Sequence, residues 1–269
     1  MARFANKIVF LTGASSGIGE AMARVFAQEG ADLILFARRR ERLEKLAGEL
    51  EGQGRRALVC VGDVTQDGEL EAAVARGVEA FGRIDVAVAN AGFGIYGKVE
   101  KLTLEEYRRQ FETNVFGVLR TVWATLPELK KTGGRLVLIG SVNSYISLPD
   151  VSGYAMSKFA VKALADALYL ELGPAGVSVT LICPGFVTSE IRLVDNRGVY
   201  REEKRDSIPS WIQMPAEKAA RQIVKAVASR RREKIITFHG KFFVFLNRLI
   251  PGLMLGFARR FTRELRRDW

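Results

Sequence analysis

Histidine and cysteine are nearly absent from this chain of 269 residues, which has one histidine, His239, and two cysteines, Cys60 and Cys183. Two cysteines exclude a disulfide-stapled secreted scaffold, and with a single histidine they cannot furnish an ordinary zinc site, so no metal is expected. A Ser-His-Asp hydrolase would have to rest on His239 alone. Long hydrophobic runs are missing too: no stretch offers the roughly 20 uninterrupted apolar residues of a membrane span. The chain also lacks internal repeats and low-complexity linkers, which favours one domain over two at this length. The opening residues run almost at once into a β-like segment. No signal peptide is therefore expected, and the expected location is cytoplasmic.

Acidic charge falls short of basic charge, 30 Asp/Glu against 41 Lys/Arg, for a net +11. Of that excess, +8 lies in residues 230–269, so the rest of the chain is close to neutral. This pattern describes a basic C-terminal appendage better than a diffuse nucleic-acid-binding surface, and no nucleic-acid partner is expected.

Short apolar runs at 7–11, 32–37, 56–61, 84–89, 135–139, 177–182 and 234–238 alternate with helical patterns. The helical patterns cover 17–29, 39–50, 66–81, 103–129, 153–172 and 216–229. The runs are rich in Val, Ile and Leu and do not alternate with polar residues, as befits strands buried on both faces. Strand–helix alternation predicts an α/β fold, a single doubly wound Rossmann-type parallel sheet of about seven strands flanked by helices.

Between the first strand and first helix stands Thr12-Gly13-Ala14-Ser15-Ser16-Gly17-Ile18-Gly19. Glycines at such a point allow a sharp turn and close backbone approach to a pyrophosphate, and the following helix N-terminus offers free N–H groups to it. A ligand-free Gly/Ser turn is the plain alternative. Further along come Asn90-Ala91-Gly92 after the fourth strand, Asn114 in an NVFG segment, and Ser141 at the end of the fifth strand. Tyr154-Ala-Met-Ser-Lys158 follows thirteen positions after Ser141, and Pro184-Gly185-Phe186-Val187-Thr188 follows the sixth strand. In this order and spacing the motifs resemble the short-chain dehydrogenase/reductase family over about residues 5–240.

That resemblance implies a hydride-transfer enzyme interconverting a ketone or aldehyde and an alcohol. Tyr154 would be the acid–base, Ser141 the hydrogen-bond partner of the substrate oxygen, and Asn114 the support of a water that relays protons to Lys158. Lys158 would also bond the nicotinamide ribose, Asn90 would brace the central strands, and the 184–188 segment, through Thr188, would reach the nicotinamide carboxamide. Four residues separate Tyr154 from Lys158, placing both on one helix face, where an ammonium would favour the phenolate. Ser141 and Asn114 could equally be satisfying backbone groups. Phe93, Tyr96 and Phe186 fit either a pocket wall or ordinary packing, Cys60 and Cys183 read as small buried hydrophobes, and His239 reads as the end of the seventh strand.

An NAD site places an acid at the end of the second strand. Here that strand ends Phe36-Ala37-Arg38-Arg39-Arg40, with no acid before Glu41. Arg38, with Ser15 and Arg39, can bind a 2′-phosphate, so the expected cofactor is NADP(H), and reduction is the expected direction. A solvated basic helix start is the bland reading. By resemblance, Asp63 in Gly62-Asp63-Val64 bonds the adenine edge. A catalytically idle nucleotide sensor, or a membrane-surface scaffold, remains the competing class; the full Asn114/Ser141/Tyr154/Lys158 set counts against it.

Residues 187–215 are expected to form a substrate lid, bearing Arg192, Arg197, Arg201, Lys204 and Arg205 with Ile191, Leu193, Ile208 and Trp211 interspersed. It suits an amphipathic substrate with an acidic end or a solvated surface. Apolar residues on the 103–129 and 153–172 helices, including Phe111, Val115, Val118, Val122, Phe159, Leu164 and Leu168, are expected to pair with a second copy as a homodimer. After a first domain of 1–240, residues 241–269 form an extension. In it Phe242, Phe243, Leu246, Leu249, Ile250, Leu253, Met254, Phe257, Ala258 and Phe261 recur at helical spacing ahead of a basic end. An apolar face with a basic end suits peripheral membrane contact and an apolar, lipid- or steroid-like substrate, or packing on its own domain or a partner subunit.

Overall fold

The computed structural model describes residues 2–203, 206, 208–253, 255–256 and 259. Seven strands form one parallel sheet: β1 (Ile8–Thr12), β2 (Asp32–Ala37), β3 (Ala57–Val61), β4 (Val86–Ala89), β5 (Arg135–Ile139), β6 (Ser178–Cys183) and β7 (Glu233–Ile235). Their order is β3-β2-β1-β4-β5-β6-β7, as expected for a doubly wound sheet. Helices α1 (Gly17–Gln28), α2 (Arg40–Glu51) and α7 (Ala216–Ala228) cover one face. The other face carries α3 (Glu69–Phe81), α5 (Gly117–Thr132) and α6 (Ser152–Leu172). The period-2 strand geometry divides β1 between two cores: Val9 and Leu11 face the first, Ile8 and Phe10 the second.

The direction of winding reverses between β1 and β4, and a doubly wound sheet opens its ligand crevice at the carboxyl ends of the strands at that point. Thr12 and Asn90 close the crevice floor. Thr12 Oγ1 accepts from the Asn90 and Ala91 amides at 3.0 and 3.1 Å. Asn90 Nδ2 donates to the Thr12 and Gly13 carbonyls at 3.0 and 3.2 Å. At the opposite, amino-terminal edge, the buried Asp85 accepts from Lys7 Nζ at 3.0 Å, Arg83 Nη2 at 2.6 Å and the Ile8 amide at 3.1 Å.

Three expectations are corrected. The single helix expected over 103–129 is α4 (Leu104–Phe111), a π-helical turn at Glu112–Phe116, and α5. A Thr103–Glu106 capping box starts α4, and Gly133 in the left-handed region ends α5. The last strand stops at Ile235 because Thr237 caps a new helix, its Oγ1 accepting the Gly240 amide at 3.2 Å. That helix, α8 (Phe238–Leu249), takes in the expected strand end, including His239, and crosses the boundary expected at residue 240. Finally, Val118, Val122 and Leu168, read as surplus for a dimer, are buried in the chain's own core. Apolar side chains left exposed on these helices include Phe116, Trp123, Met156 and Phe159.

Candidate active site

Asn114 sits in the π turn, a distortion that often marks functional positions. It is fully buried; its Nδ2 donates to the Phe93 carbonyl at 2.9 Å and to Ser157 Oγ at 3.2 Å, and its Oδ1 accepts the Phe93 amide at 3.1 Å. Gln110, one turn earlier and not singled out by the sequence, stitches the same strand exit through the Phe93 carbonyl and Ile95 amide. Together they anchor the segment after β4 to the helix that faces α6.

Ser141 follows β5 and caps a short 3-10 turn, its Oγ accepting the Asn143 amide at 3.1 Å. The Ser141 side chain stands close enough to the Tyr154 hydroxyl to act on its ionisation. Lys158, one helical turn on, is 5% exposed; its Nζ donates to the Ile139 carbonyl at 2.9 Å and lies 5.6 Å from the Tyr154 ring centre. Thus Ser141, Tyr154 and Lys158 converge at the carboxyl end of β5. Burial pushes Lys158 down to about 8. Burial also pushes Tyr154 up, and the Ser141 side chain pulls back only in part. The direction is opposite to that expected from an adjacent ammonium, because the Lys158 charge is aimed at the Ile139 carbonyl and burial dominates. Tyr96 stacks beside Tyr154 with ring centres 6.4 Å apart, placing one of the ambiguous aromatics at the site. Cys183, below it, is a buried thiol pushed up to about 12, as inert as the sequence suggests.

The glycine-rich loop fits a pyrophosphate. Gly13 has φ of +66°, and a Cβ on Gly19 would stand 2.1 Å from the Gly13 carbonyl oxygen, so neither tolerates a side chain. Ser16, the N-cap of α1, makes no side-chain capping bond. The first-turn N–H groups, those of Gly17, Ile18 and Gly19, therefore meet no capping side chain that would compete with an anion. Beside the loop, the two arginines separate. Arg39 donates from Nε to Ser15 Oγ at 3.2 Å and from Nη2 to Ser16 Oγ at 2.6 Å. Arg38 extends into solvent, 3.5 Å from the Asp63 carboxylate, whose other oxygen accepts from Thr65. Val64 is buried against Gly117.

The 184–188 segment closes the other end. The Pro184 carbonyl accepts the Val142 amide at 2.9 Å, tying this loop to Ser141, and Val187 bridges Met214 across the base of the 187–215 segment. Thr188 is exposed, its amide bonded to the Met214 carbonyl at 3.0 Å. In the 187–215 segment, Arg192 is largely buried and paired with Asp206 at 2.6 Å, so its charge organises the segment internally. Lys204 and Arg205 lie outside the described residues. His239 is the residue the sequence missed. Its Nε2 accepts the Phe186 amide at 3.2 Å and its ring stacks on Phe186 at 5.2 Å. Burial lowers its pKa, which keeps that nitrogen an acceptor. Asn247 and Arg248 hold α8 to the Tyr145 carbonyl and Glu233 at 2.9 and 3.1 Å, so this part of the extension packs on its own domain.

A doubly wound sheet with a glycine-rich first turn and a Ser–Tyr–Lys cluster at its carboxyl edge defines a nicotinamide-dinucleotide oxidoreductase. The short chain dehydrogenase family matches residues 7–198. Oxidoreductase UcpA of Salmonella typhimurium is 41% identical over 189 residues, 70% of this chain and 72% of that protein. Dehydrogenase/reductase SDR family member 7B of Mus musculus is 31% identical over 98% of this chain and 83% of its own length. Among solved structures, an alcohol dehydrogenase from the archaeon Thermococcus sibiricus, complexed with 5-hydroxy-NADP, is 33% identical with a TM-score of 0.74, covering 85% of this chain and 95% of that one. A short chain dehydrogenase/reductase from Burkholderia phymatum, in complex with NAD, is 26% identical with a TM-score of 0.83, covering 94% and 96%. The chain belongs to the short-chain dehydrogenase/reductase family and is an oxidoreductase of the CH–OH/C=O class.

Proposed function

We propose that this protein is an NADP(H)-dependent reductase of an apolar, lipid- or steroid-like ketone or aldehyde. The observation that carries the reading is the convergence of Ser141, Tyr154 and a buried Lys158 at the strand ends. The nicotinamide dinucleotide, when bound, supplies the hydride chemistry. The chain supplies the rest. Ser141 Oγ holds the substrate oxygen, and Tyr154 Oη delivers a proton to it during reduction or removes one during oxidation. Lys158 Nζ spends one N–H on the Ile139 carbonyl and keeps two for the nicotinamide ribose, while Asn114 secures the water path behind it. Gly13, Ser16, Gly17, Ile18 and Gly19 take the pyrophosphate, Asp63 and Val64 the adenine, Asn90 the crevice floor, and Pro184, Gly185, Val187 and Thr188 the nicotinamide side. The 2′-phosphate falls to Arg39 and Ser15, with Arg38 at the rim.

The purified protein is expected to consume NADPH with apolar ketones at a higher kcat/KM than NADH. Equal efficiency with the two nucleotides would remove the NADP assignment. Failure to turn over any member of a panel of steroids, acyl ketones and sugars, in either direction, would remove the catalytic one.

The exposed Met156 and Phe159 on α6, with Phe111 of α4 alongside, line a shallow apolar depression suited to a second copy. Light scattering is expected to give a homodimer; a clean monomer at micromolar concentration would remove it. On α8, Phe238, Phe242, Phe245 and Leu249 are exposed along one face while Gly240 and Val244 are buried. With the +8 excess over residues 230–269, this face supports peripheral contact with anionic lipid. Met254, Phe257, Ala258 and Phe261 of the apolar stripe lie outside the described residues. Among the described residues no helix is long and apolar enough to cross a membrane. The full-length protein is expected to sediment with anionic vesicles and F242E/F245E to stay in the supernatant; equal recovery of both would retire the contact.

A further inference from the structure

The arginines beside the glycine-rich loop already hold a carboxylate. Arg39 and Arg42 lie three residues apart at the start of α2, on one face of the chain as it enters the helix. Both reach Glu190, which follows the 184–188 segment at the start of the lid. Arg39 Nη1 is 2.8 Å from Glu190 Oε2, and Arg42 Nη1 is 2.6 Å from Oε1. The same Arg39 guanidinium donates to Ser15 and Ser16. The lid also touches the loop directly, since a Cβ on Gly17 would lie 3.1 Å from Ser189 Cβ. The Glu190 side chain is 28% exposed, so its charge is only partly screened by water.

We propose that Glu190 is a nucleotide-selectivity residue whose carboxylate competes with the adenosine 2′-phosphate for Arg39 and Arg42. This rests on the NADP(H) reading above. A guanidinium has five N–H donors, and Arg39 spends one on each serine and one on Glu190. A phosphate arriving at Arg39 therefore meets one of two situations. It displaces Glu190 from the guanidinium, or it shares the guanidinium and sits beside a like charge. Both carry a cost that a nucleotide with a 2′-hydroxyl does not meet, because a carboxylate can accept a hydrogen bond from that hydroxyl. Glu190 thus holds down the preference for the phosphorylated nucleotide that the arginines create. It also makes the start of the lid answer to the nucleotide's 2′ substituent, since the phosphate must work against the contact that ties Glu190 to α2.

Calorimetric titration of the full chain with NADPH and with NADH, with no substrate present, tests this. Glu190→Gln keeps the shape and removes the charge. It is expected to tighten NADPH about tenfold and to leave NADH within threefold or weaken it. Arg39→Met is expected to loosen NADPH at least tenfold with little change for NADH. If R39M loses NADPH affinity but E190Q gains none, Glu190 is not a competitor and the proposal fails while the NADP(H) reading stands. Equal tightening of both nucleotides by E190Q would reveal a general charge effect on the pyrophosphate and would also overturn it. If the wild type binds the two nucleotides alike and R39M changes neither, the NADP(H) reading itself falls, and the competition with it. Should E190Q lose both nucleotides, Glu190→Ala is measured in the same way. Loss of both in that variant too makes Glu190 a structural brace and sinks the proposal.

Discussion

The two edges of the sheet each bury a charge, and they treat it in opposite ways. At the amino-terminal edge, Asp85 is 2% exposed and met by Lys7, Arg83 and the Ile8 amide. At the carboxyl-terminal edge, Lys158 is 5% exposed, and among the described residues its hydrogen bond goes to a neutral carbonyl, with no carboxylate beside it. A buried charge is expensive unless paired. The first edge settles that cost within the chain and holds β1 to β4. The second leaves it standing, which a fold tolerates where the charge has work to do on something else.

The widest test of that contrast is to remove each charge and read both stability and turnover. Lys158→Met is expected to lower kcat by roughly 10²- to 10⁴-fold, as is Tyr154→Phe, the range expected for losing a positioned acid–base group. Lys158→Met should at the same time unfold no lower than wild type in a thermal melt, since an uncompensated buried charge has been replaced by an apolar side chain of similar length. A melt lowered by several degrees would mean that Lys158 holds the fold, and the contrast would collapse. Asp85→Asn should behave in reverse. It leaves Lys7 and Arg83, both more than a third exposed, without their carboxylate, so water softens the loss to about 2 kcal/mol, or roughly 4–8 °C in Tm. Activity per folded molecule should be unchanged.

A finer test uses pH. Burial would raise the Asp85 carboxyl, but Arg83, the Ile8 amide and Lys7 together hold it below its ordinary 3.8. The folded chain thus binds the proton less readily than the unfolded one. The resulting stability is present above 3.8 and lost as pH falls through the lower folded value, a loss that D85N should not show. Lys158 acts at the other end. Its folded value of about 8 lies below its ordinary 10.5, so the folded chain sheds the proton first and stability rises as pH climbs between those values. Subtracting the K158M profile isolates this rise from Tyr154, whose raised value works against it above pH 10. The smallest expected effect is at His239. Its depressed pKa keeps Nε2 an acceptor for the Phe186 amide. His239→Ala should cost about 1 kcal/mol, roughly fivefold in kcat/KM, with the wild-type value falling toward the variant's as pH drops through the depressed His239 value, which lies under its ordinary 6.5.

Most of the sheet was legible because its strands are buried on both faces and announce themselves as unbroken apolar runs. The glycine loop and the Ser141, Tyr154 and Lys158 set were legible because each stands at a fixed offset from a strand end. What escaped has physical reasons. Arg38 and Arg39 are neighbours at the bend where β2 gives way to α2, and composition alone cannot say which one turns toward Ser15 and Ser16. His239 looked like a strand end because the run 234–238 is β-prone. The N-cap at Thr237, with Gly240 three residues on, was the available signal that a helix starts there. Glu190 was invisible because its partners are about 150 positions away and only the closed fold brings them together.

The π turn at Glu112–Phe116 carries a consequence for the rod made by α4 and α5. An α-helix advances about 100° per residue, and a wider turn admits one residue more without adding a full step of rotation. The two halves of the rod are therefore geared differently: Val118 and Val122 mesh with the core on a phase that α4 does not share. A single-residue deletion between 112 and 116 would take out that extra residue and close the turn into regular α-helix, with the two halves keeping nearly their present orientation. A deletion elsewhere in the rod would instead twist one half against the other by about 100°, and either Asn114 would leave its seat against Phe93 or the Val118–Val122 stripe would turn out of the core. The wide turn is thus the place in the rod where a change of length is absorbed most readily.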